Sequence, residues 1–270
     1  MSKTDQDYIE ANRQGWNAAA HHHKASARYE TILEGFKQPG YSCLDDILTE
    51  RLLKLGVAGK DVAQLCCNDG CELLSVKNLG AARCVGFDQA GGFLEQARAF
   101  QAAAGVECDF VETDIHEIER SYDASFDITL ITIGVFGWMP DVKRFVGVAS
   151  RLLRPGGVVC IYEQHPIVNM MEPYEVPGDP TKLVHSYFKE TPFEDEEGFM
   201  YDGSASWKGP KKYWFVHTLA DIMTALLDEG LAIEAFEEYP HNISSAEFNI
   251  YNDQEAQLPQ SYMLGARKPT

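Results

Sequence analysis

The stretch Asp61-Val62-Ala63-Gln64-Leu65-Cys66-Cys67-Asn68-Asp69-Gly70, followed by a helix-like segment and then by Cys84-Val85-Gly86-Phe87-Asp88, decides the fold. It reads as strand, tight turn, helix, strand and acid. Such a unit leaves backbone N–H groups of the turn and the helix N-terminus facing a ligand, while the carboxylate ending the next strand accepts hydrogen bonds from a ribose diol. A nucleoside-containing cofactor is the expected occupant. Gly70 is a lone glycine where such turns carry two or three, so the loop takes its meaning from what surrounds it. A buried strand with a surface turn is the simpler alternative.

Outward from this unit, strands and helices alternate. Leu44, Ile47, Leu48, Leu52, Leu53 and Leu55 form an amphipathic helix that stops near Gly56 and leads into the first strand. After Asp88 come a helix from Gly92 to Ala104, strands at Cys108 to Glu112 and Phe126 to Ile133, a helix from Val142 to Leu153, and a strand from Gly157 to Tyr162. This alternation predicts a parallel sheet covered on both faces, with the nearly apolar Phe126 to Ile133 strand near its centre. Arg154-Pro155-Gly156-Gly157 stops the preceding helix and reverses the chain. Thr218-Leu219-Ala220-Asp221 is a capping box that opens a helix to Glu229, with Gly230 as its stop. Leu231 to Tyr239 and Tyr262 to Ala266 then predict an antiparallel terminal hairpin.

Two regions depart from the alternation. Helical periodicity through the first forty residues, with Tyr8, Ala11, Gly15, Trp16 and Ala19 near one face, predicts an N-terminal cap that ends at Pro39-Gly40. From Pro166 to Tyr213 prolines, aromatics and the acidic run Glu194-Asp195-Glu196-Glu197 replace any period, as in a functional insertion. The expected organisation is one α/β domain with a Rossmann-like doubly wound sheet: residues 1–41 are a helical cap, 42–165 and 216–270 the core, and 166–215 a lid inserted after the fifth strand. The sheet is expected to be mostly parallel, with the terminal hairpin supplying an antiparallel strand.

Composition narrows the chemistry. The 270 residues carry a formal net charge of -18, with the basic residues scattered and Lys211-Lys212 the one adjacent lysine pair. Nucleic acid is therefore disfavoured as a partner, because phosphates need clustered Lys and Arg. Seven cysteines in mostly apolar runs suggest a reducing compartment without disulfides. Cys66, Cys67 and Cys71 cannot complete a four-ligand site, and consecutive His21-His22-His23 point in different directions, so no metal is expected and the histidines read as a solvated helix end. No apolar run approaches the roughly 20 residues that span a bilayer, so a soluble, cytoplasmic protein is expected.

The order of the segments resembles class I S-adenosylmethionine-dependent methyltransferases of a bacterial small-molecule branch. The resemblance rests on the Gln64 to Gly70 turn, Val85-Gly86-Phe87-Asp88, Glu112-Thr113-Asp114-Ile115, Phe126-Asp127-Ile128, Arg151 to Gly157 and the final Tyr262 to Pro269 strand, together with Asn12-Arg13-Gln14-Gly15-Trp16-Asn17 and Trp138-Met139-Pro140-Asp141. It implies S-adenosylmethionine as cofactor. On that reading the Cys66, Cys67, Asn68 and Gly70 turn passes under the methionine end, with its N–H groups serving the carboxylate. Asp88 holds the ribose hydroxyls, Asp114 receives the adenine amino group beside Ile115, and Phe87 and Gln89 pack near the base. Ile133 and Gly134 edge the sulfonium, while Trp16 and Tyr29 close over the methionine from the cap. Where the family carries an acid and glycines, this chain has Gln64, Cys66 and Asn68.

Methyl transfer from a sulfonium needs orientation and dryness more than a catalytic side chain, and a base only for a protonated nucleophile. Glu163 and His165, at the end of the fifth strand, are the candidate base or substrate anchors; a histidine capping the strand end is the alternative. His116 is a weaker candidate. Aromatics from Phe136 to Trp214, among them Trp138, Tyr174, Phe199, Tyr201 and Trp207, lie where a substrate pocket and its lid belong, with Trp138, Tyr201 and Trp207 the expected contacts. An apolar and a cationic acceptor remain equally open. The expected partner is a small-molecule methyl acceptor, without nucleic acid or membrane, and with a homodimer left open. Two other readings stand beside it: a nicotinamide-dependent oxidoreductase, and a catalytically degenerate S-adenosylmethionine-binding regulatory protein.

Overall fold

The structure is a computed structural model that describes residues 3–172, 179, 181–198, 200, 207–243, 251–252 and 255–270. Tyr174, Phe199 and Tyr201 lie outside the described residues. Three helices come first: α1 (Asp5–Lys24), α2 (Ala27–Phe36) and α3 (Asp46–Lys54). The core then runs β1 (Asp61–Leu65), α4 (Cys71–Asn78), β2 (Arg83–Asp88), α5 (Gly91–Ala104), β3 (Asp109–Glu112), β4 (Phe126–Thr132), α6 (Val142–Leu152) and β5 (Leu153–Gln164). The strands β6 (Phe193–Glu197) and β7 (Lys208–Trp214) pair as a separate antiparallel ribbon, and α7 (Leu219–Asp228), β8 (Ala232–Tyr239) and β9 (Ser261–Arg267) end the chain.

The main sheet has the order β3-β2-β1-β4-β5-β9-β8. The first five strands are mutually parallel, and β9 lies antiparallel between β5 and β8. The predicted doubly wound sheet with an antiparallel terminal strand is therefore present, with β9 inserted inside the sheet rather than at its edge. Strand periodicity divides the side chains between two layers. Ala63, Leu65, Val159 and Ile161 face a layer containing Phe145 and Leu152 of α6 and Leu226 of α7, whereas Val62, Leu130 and Cys160 face one containing Phe36, Leu52, Leu73 and Phe100. Ile128, Leu130 and Ile131 of β4 are all but fully buried, and each such side chain stabilises the fold by about 1.5–3 kcal/mol.

Four expectations change in detail. The cap is two helices, because Ser26 breaks the first and its hydroxyl accepts from the Tyr29 N–H to start α2. His23 is buried against Phe93 instead of solvated. The strand β5 begins at Leu153, since a register irregularity between Phe126 and Ile128 absorbs the Pro155-Gly156 step within the ladder. It also runs on to Gln164. The inserted segment contains the β6–β7 ribbon, so part of it is ordered by pairing.

Asn12 fastens the cap to that ribbon. Its buried Oδ1 accepts from the Tyr213 N–H at 2.7 Å, and its Nδ2 donates to the Tyr213 carbonyl at 2.9 Å and to the Trp138 carbonyl at 3.3 Å. The side chain thus acts as a missing neighbouring strand for Tyr213. Removing it orphans a buried N–H and C=O, so Asn12→Ala is expected to lower stability by about 1–2 kcal/mol in chemical denaturation. It should also speed proteolysis of the ribbon under native conditions. Unchanged denaturation and cleavage would show that other packing holds cap and ribbon together.

Candidate active site

The strand order reverses between β1 and β4, and a cavity of about 490 Å³ opens at the carboxyl ends of the strands there, where open α/β sheets place their ligands. Cys66, Cys67 and Asn68 line it from the turn after β1, and Asp88 and Gln89 from the end of β2. Asp114 and Ile115 follow β3, Ile133 and Gly134 follow β4, and Trp16 and Trp138 contribute indoles. All these expected residues meet at one place.

Six of the described expected residues do not line the cavity, His165 among them. Tyr29 is buried in the core with its ring 5.0 Å from that of Phe100. Phe87 packs with Tyr122 on the far side of β2. Gly70 builds the turn from behind: at φ 68°, a Cβ there would stand 2.5 Å from the Phe110 ring. Trp207 stacks on His22 with centroids 3.7 Å apart, in a small recess it shares with Trp16. Glu163 lies in the paired length of β5 opposite Tyr262.

The position of Glu163 alters its reading. It is 3 % exposed, and its carboxylate accepts from the N–H groups of Gly134, of Val135 at 2.8 Å, of Phe136 at 3.4 Å and of Gln164 at 2.7 Å. Burial pushes its pKa up, opposed by those four donors. The carboxylate shapes the turn after β4 and has no oxygen directed to a substrate. His165 is also turned away: Nδ1 accepts from the Ile167 N–H at 3.1 Å and Nε2 bonds Glu238 at 3.1 Å. It caps the strand end, as in the alternative reading.

The turn after β1 is self-contained. Cys66 and Asn68 adopt left-handed dihedrals, φ 56° and 49°, that the replaced glycines would have taken freely. Asparagine tolerates that region better than most residues. The N–H groups of Cys67, Asn68, Asp69, Gly70 and Cys71 are taken by Phe87 O, Asp88 Oδ2, Asn68 Oδ1, Cys67 O and Asp69 Oδ1 respectively. The expectation that these N–H groups serve a ligand carboxylate is corrected accordingly. Asp88 also accepts from Ala90 N at 2.8 Å, and burial pushes its pKa up to about 6 despite these bonds.

Sequence reasoning passed over several wall residues. Arg28 of α2 reaches the cavity and holds Asp69 at 2.6 Å. Glu72, in the first turn of α4, is half-buried at the floor, where its Oε2 accepts from Gln64 Nε2 at 2.7 Å and from the Thr132 hydroxyl; desolvation raises its pKa. The Oε1 of Gln64 is buried without a partner among the described residues. Gln164 and Lys212 complete the far wall beside Trp214, one of the aromatics expected there. No single sequence period marks these residues, since they come from different elements and only Lys212 and Trp214 share one, β7.

Residues 63–161 match a protein family described as a methyltransferase domain. No curated protein matches the sequence. Solved structures share the fold at low identity. An S-adenosylmethionine-dependent methyltransferase from Mesorhizobium loti has a TM-score of 0.53 at 19 % identity, over 78 % of this chain and 92 % of its own. One from Clostridium acetobutylicum has a TM-score of 0.58 at 14 % identity, over 94 % and 99 %. The Burkholderia thailandensis 1,6-didemethyltoxoflavin-N1-methyltransferase, solved with 1,6-didemethyltoxoflavin and S-adenosylhomocysteine, has a TM-score of 0.58 at 12 % identity, over 100 % and 92 %. Residues 63–161 thus match the methyltransferase-domain family, and the sheet that carries them has the fold of these S-adenosylmethionine-dependent methyltransferase structures.

Proposed function

We propose that the protein transfers a methyl group from S-adenosylmethionine to a small-molecule acceptor. The observation that carries the reading is the convergence of Asp88, Asp114 and Glu72 on one cavity at the reversal of strand order. Their chemistry fits the cofactor: Asp88, which accepts from the backbone N–H groups of Asn68, Gln89 and Ala90, keeps acceptor capacity for the ribose hydroxyls, and Asp114, which accepts from His116 N at 2.9 Å through Oδ1, leaves Oδ2 for an adenine amino group. Glu72 fits an ammonium, and Arg28 fits a carboxylate. The acid that β1 lacks at Gln64 is thus supplied by Glu72 from the next helix.

When bound, the cofactor supplies a methyl group already activated on a sulfonium. The chain's part is to orient the two ligands and to keep water out. The turn Ile133–Gly134, fixed from below by Glu163, forms the wall next to the reacting end. Trp138 and Trp214 cover it, and Asn12 holds that cover in place. Glu163 and His165 position the chain, and no proton transfer is assigned to them. The residues 1–270 are read as one methyltransferase-like domain, with cap and insertion enclosing the cavity.

A nicotinamide dehydrogenase fits less well, because the turn N–H groups that would receive a pyrophosphate are already taken within the turn. Incubation with methyl-labelled S-adenosylmethionine and a metabolite extract should yield small molecules one methyl heavier, detected by mass spectrometry. Cofactor binding without any labelled product, across extracts and with purified nucleic acid and protein as controls, would support the regulatory reading instead.

A further inference from the structure

Aromatic rings and acid share the wall of the cavity. Trp16, Trp138 and Trp214 all line it and are half-buried, so each keeps accessible surface. Trp138 stands edge-on to both of the others, with ring centroids 5.1 Å from Trp16 and 5.0 Å from Trp214, and its plane lies at 90° to that of Trp214. The Trp214 ring rests on bare backbone, where a Cβ on Gly137 would meet it at 2.2 Å, and its Nε1 donates to Asn169 Oδ1 at 3.1 Å. With that N–H satisfied, Trp214 offers a ligand its π-surface. Indoles in contact at right angles make a corner that suits an alkylammonium group, because the ring quadrupole puts negative potential on each face.

The charges act in the same direction. Asp69, Glu72, Asp88, Asp114 and Asp195 line the cavity against Arg28 and Lys212. Both cations already meet acid, Arg28 at 2.6 Å from Asp69 and Lys212 at 3.2 Å from Asp195. Carboxylates stay in excess even after a donor brings in its sulfonium charge. An anionic acceptor meets that excess as repulsion and a cationic one as attraction. The net charge of -18 draws cations toward the chain from farther out. Among the described residues no Lys or Arg stands over the Trp138 or Trp214 ring, so the chain supplies no cation of its own to that corner.

We infer that the methyl acceptor carries an ammonium group that sits against the Trp138–Trp214 corner of the acidic cavity, while a different atom of the same molecule is methylated. This inference rests on the methyltransferase reading and specifies its substrate class. The two groups are distinct because an ammonium nitrogen has no lone pair with which to attack the methyl carbon. The charge anchors the acceptor, and the distance from that anchor brings the reacting atom to the donor.

Ligand-observed NMR titrations of the protein loaded with S-adenosylhomocysteine test this with probes of similar shape and different charge: choline, its uncharged carbon isostere neohexyl alcohol, and the anion tert-butylacetate. Choline should bind saturably and about tenfold more tightly than neohexyl alcohol, with tert-butylacetate the weakest. Trp138→Leu should cut that margin to about twofold. Replacing all four tryptophans with fluorinated tryptophan keeps the ring shape and weakens the quadrupole, so the margin should shrink about threefold while the melting midpoint and S-adenosylhomocysteine affinity hold. Neohexyl alcohol or tert-butylacetate binding as tightly as choline, no saturable choline binding, or a margin unchanged in both altered proteins would overturn the inference. If S-adenosylhomocysteine itself fails to bind, the donor reading falls, and the same series on the unliganded protein decides the charge preference separately.

Discussion

Replacing Glu163 with alanine is expected to cost about 3–5 kcal/mol of stability, because four backbone N–H groups lose their acceptor together. The melting midpoint should fall by on the order of 10 °C. Glu163→Gln should be nearly as damaging, since one oxygen of the amide is exchanged for a donor that faces N–H groups. Loss of the carboxylate releases the turn from Gly134 to Phe136, so S-adenosylhomocysteine affinity should fall with stability. A general base would behave differently. An unchanged melting midpoint in Glu163→Ala, with intact cofactor binding and a lost acidic limb of the pH–rate profile, would return Glu163 to the chemistry.

Asp88 carries the second large effect. Asp88→Ala should weaken S-adenosylhomocysteine binding by about 100-fold, since two charge-assisted bonds to the ribose and the brace on Asn68 N are lost together. Its titration adds a signature. Burial raises the carboxyl from an ordinary 3.8 to about 6, so the free folded protein holds the Asp88 proton more tightly than the unfolded chain does. The stability this contributes is complete below pH 3.8 and is lost as pH rises through about 6. Binding runs in the opposite sense, because the ribose hydroxyls donate to the ionised form. Affinity should therefore fall about tenfold between pH 7 and pH 5, bending near pH 6. Asp88→Asn should bind more weakly at neutral pH and lack the bend. A bend that persists in Asp88→Asn would assign it to another group.

Much of this was legible in the chain. The strand-turn-helix-strand unit from Asp61 to Asp88 reads correctly because β1 and β2 are buried on both faces and their apolar runs have one sensible length. Asp88 is legible as an acid that ends a strand, and Trp138 as an aromatic just past the central one. The parity of β5 was not. Ending that strand at Tyr162 puts Glu163 and His165 at the cavity, whereas pairing with β9 through Gln164 ↔ Ser261 turns Glu163 to the turn after β4 and brings Gln164 to the mouth. A two-residue extension therefore exchanged the assignments.

Other residues were hidden for different reasons. Glu72 reads as an acid that complements a helix N-terminus, and only the juxtaposition with Gln64 and Thr132 makes it the floor of a site. Arg28 reads as one more charge on an exposed helix face. The Asn68 N–H looks available in sequence because its acceptor, Asp88, lies 20 residues away at the end of β2. Each of these facts depends on contacts between distant elements, and no local pattern encodes them.

The most direct measurement is calorimetric titration of the protein with S-adenosylhomocysteine, S-adenosylmethionine and NAD at neutral pH. The structure predicts saturable one-to-one binding of both sulfur nucleosides and no saturable binding of NAD. Binding of NAD alone, or of neither sulfur nucleoside, would contradict the account.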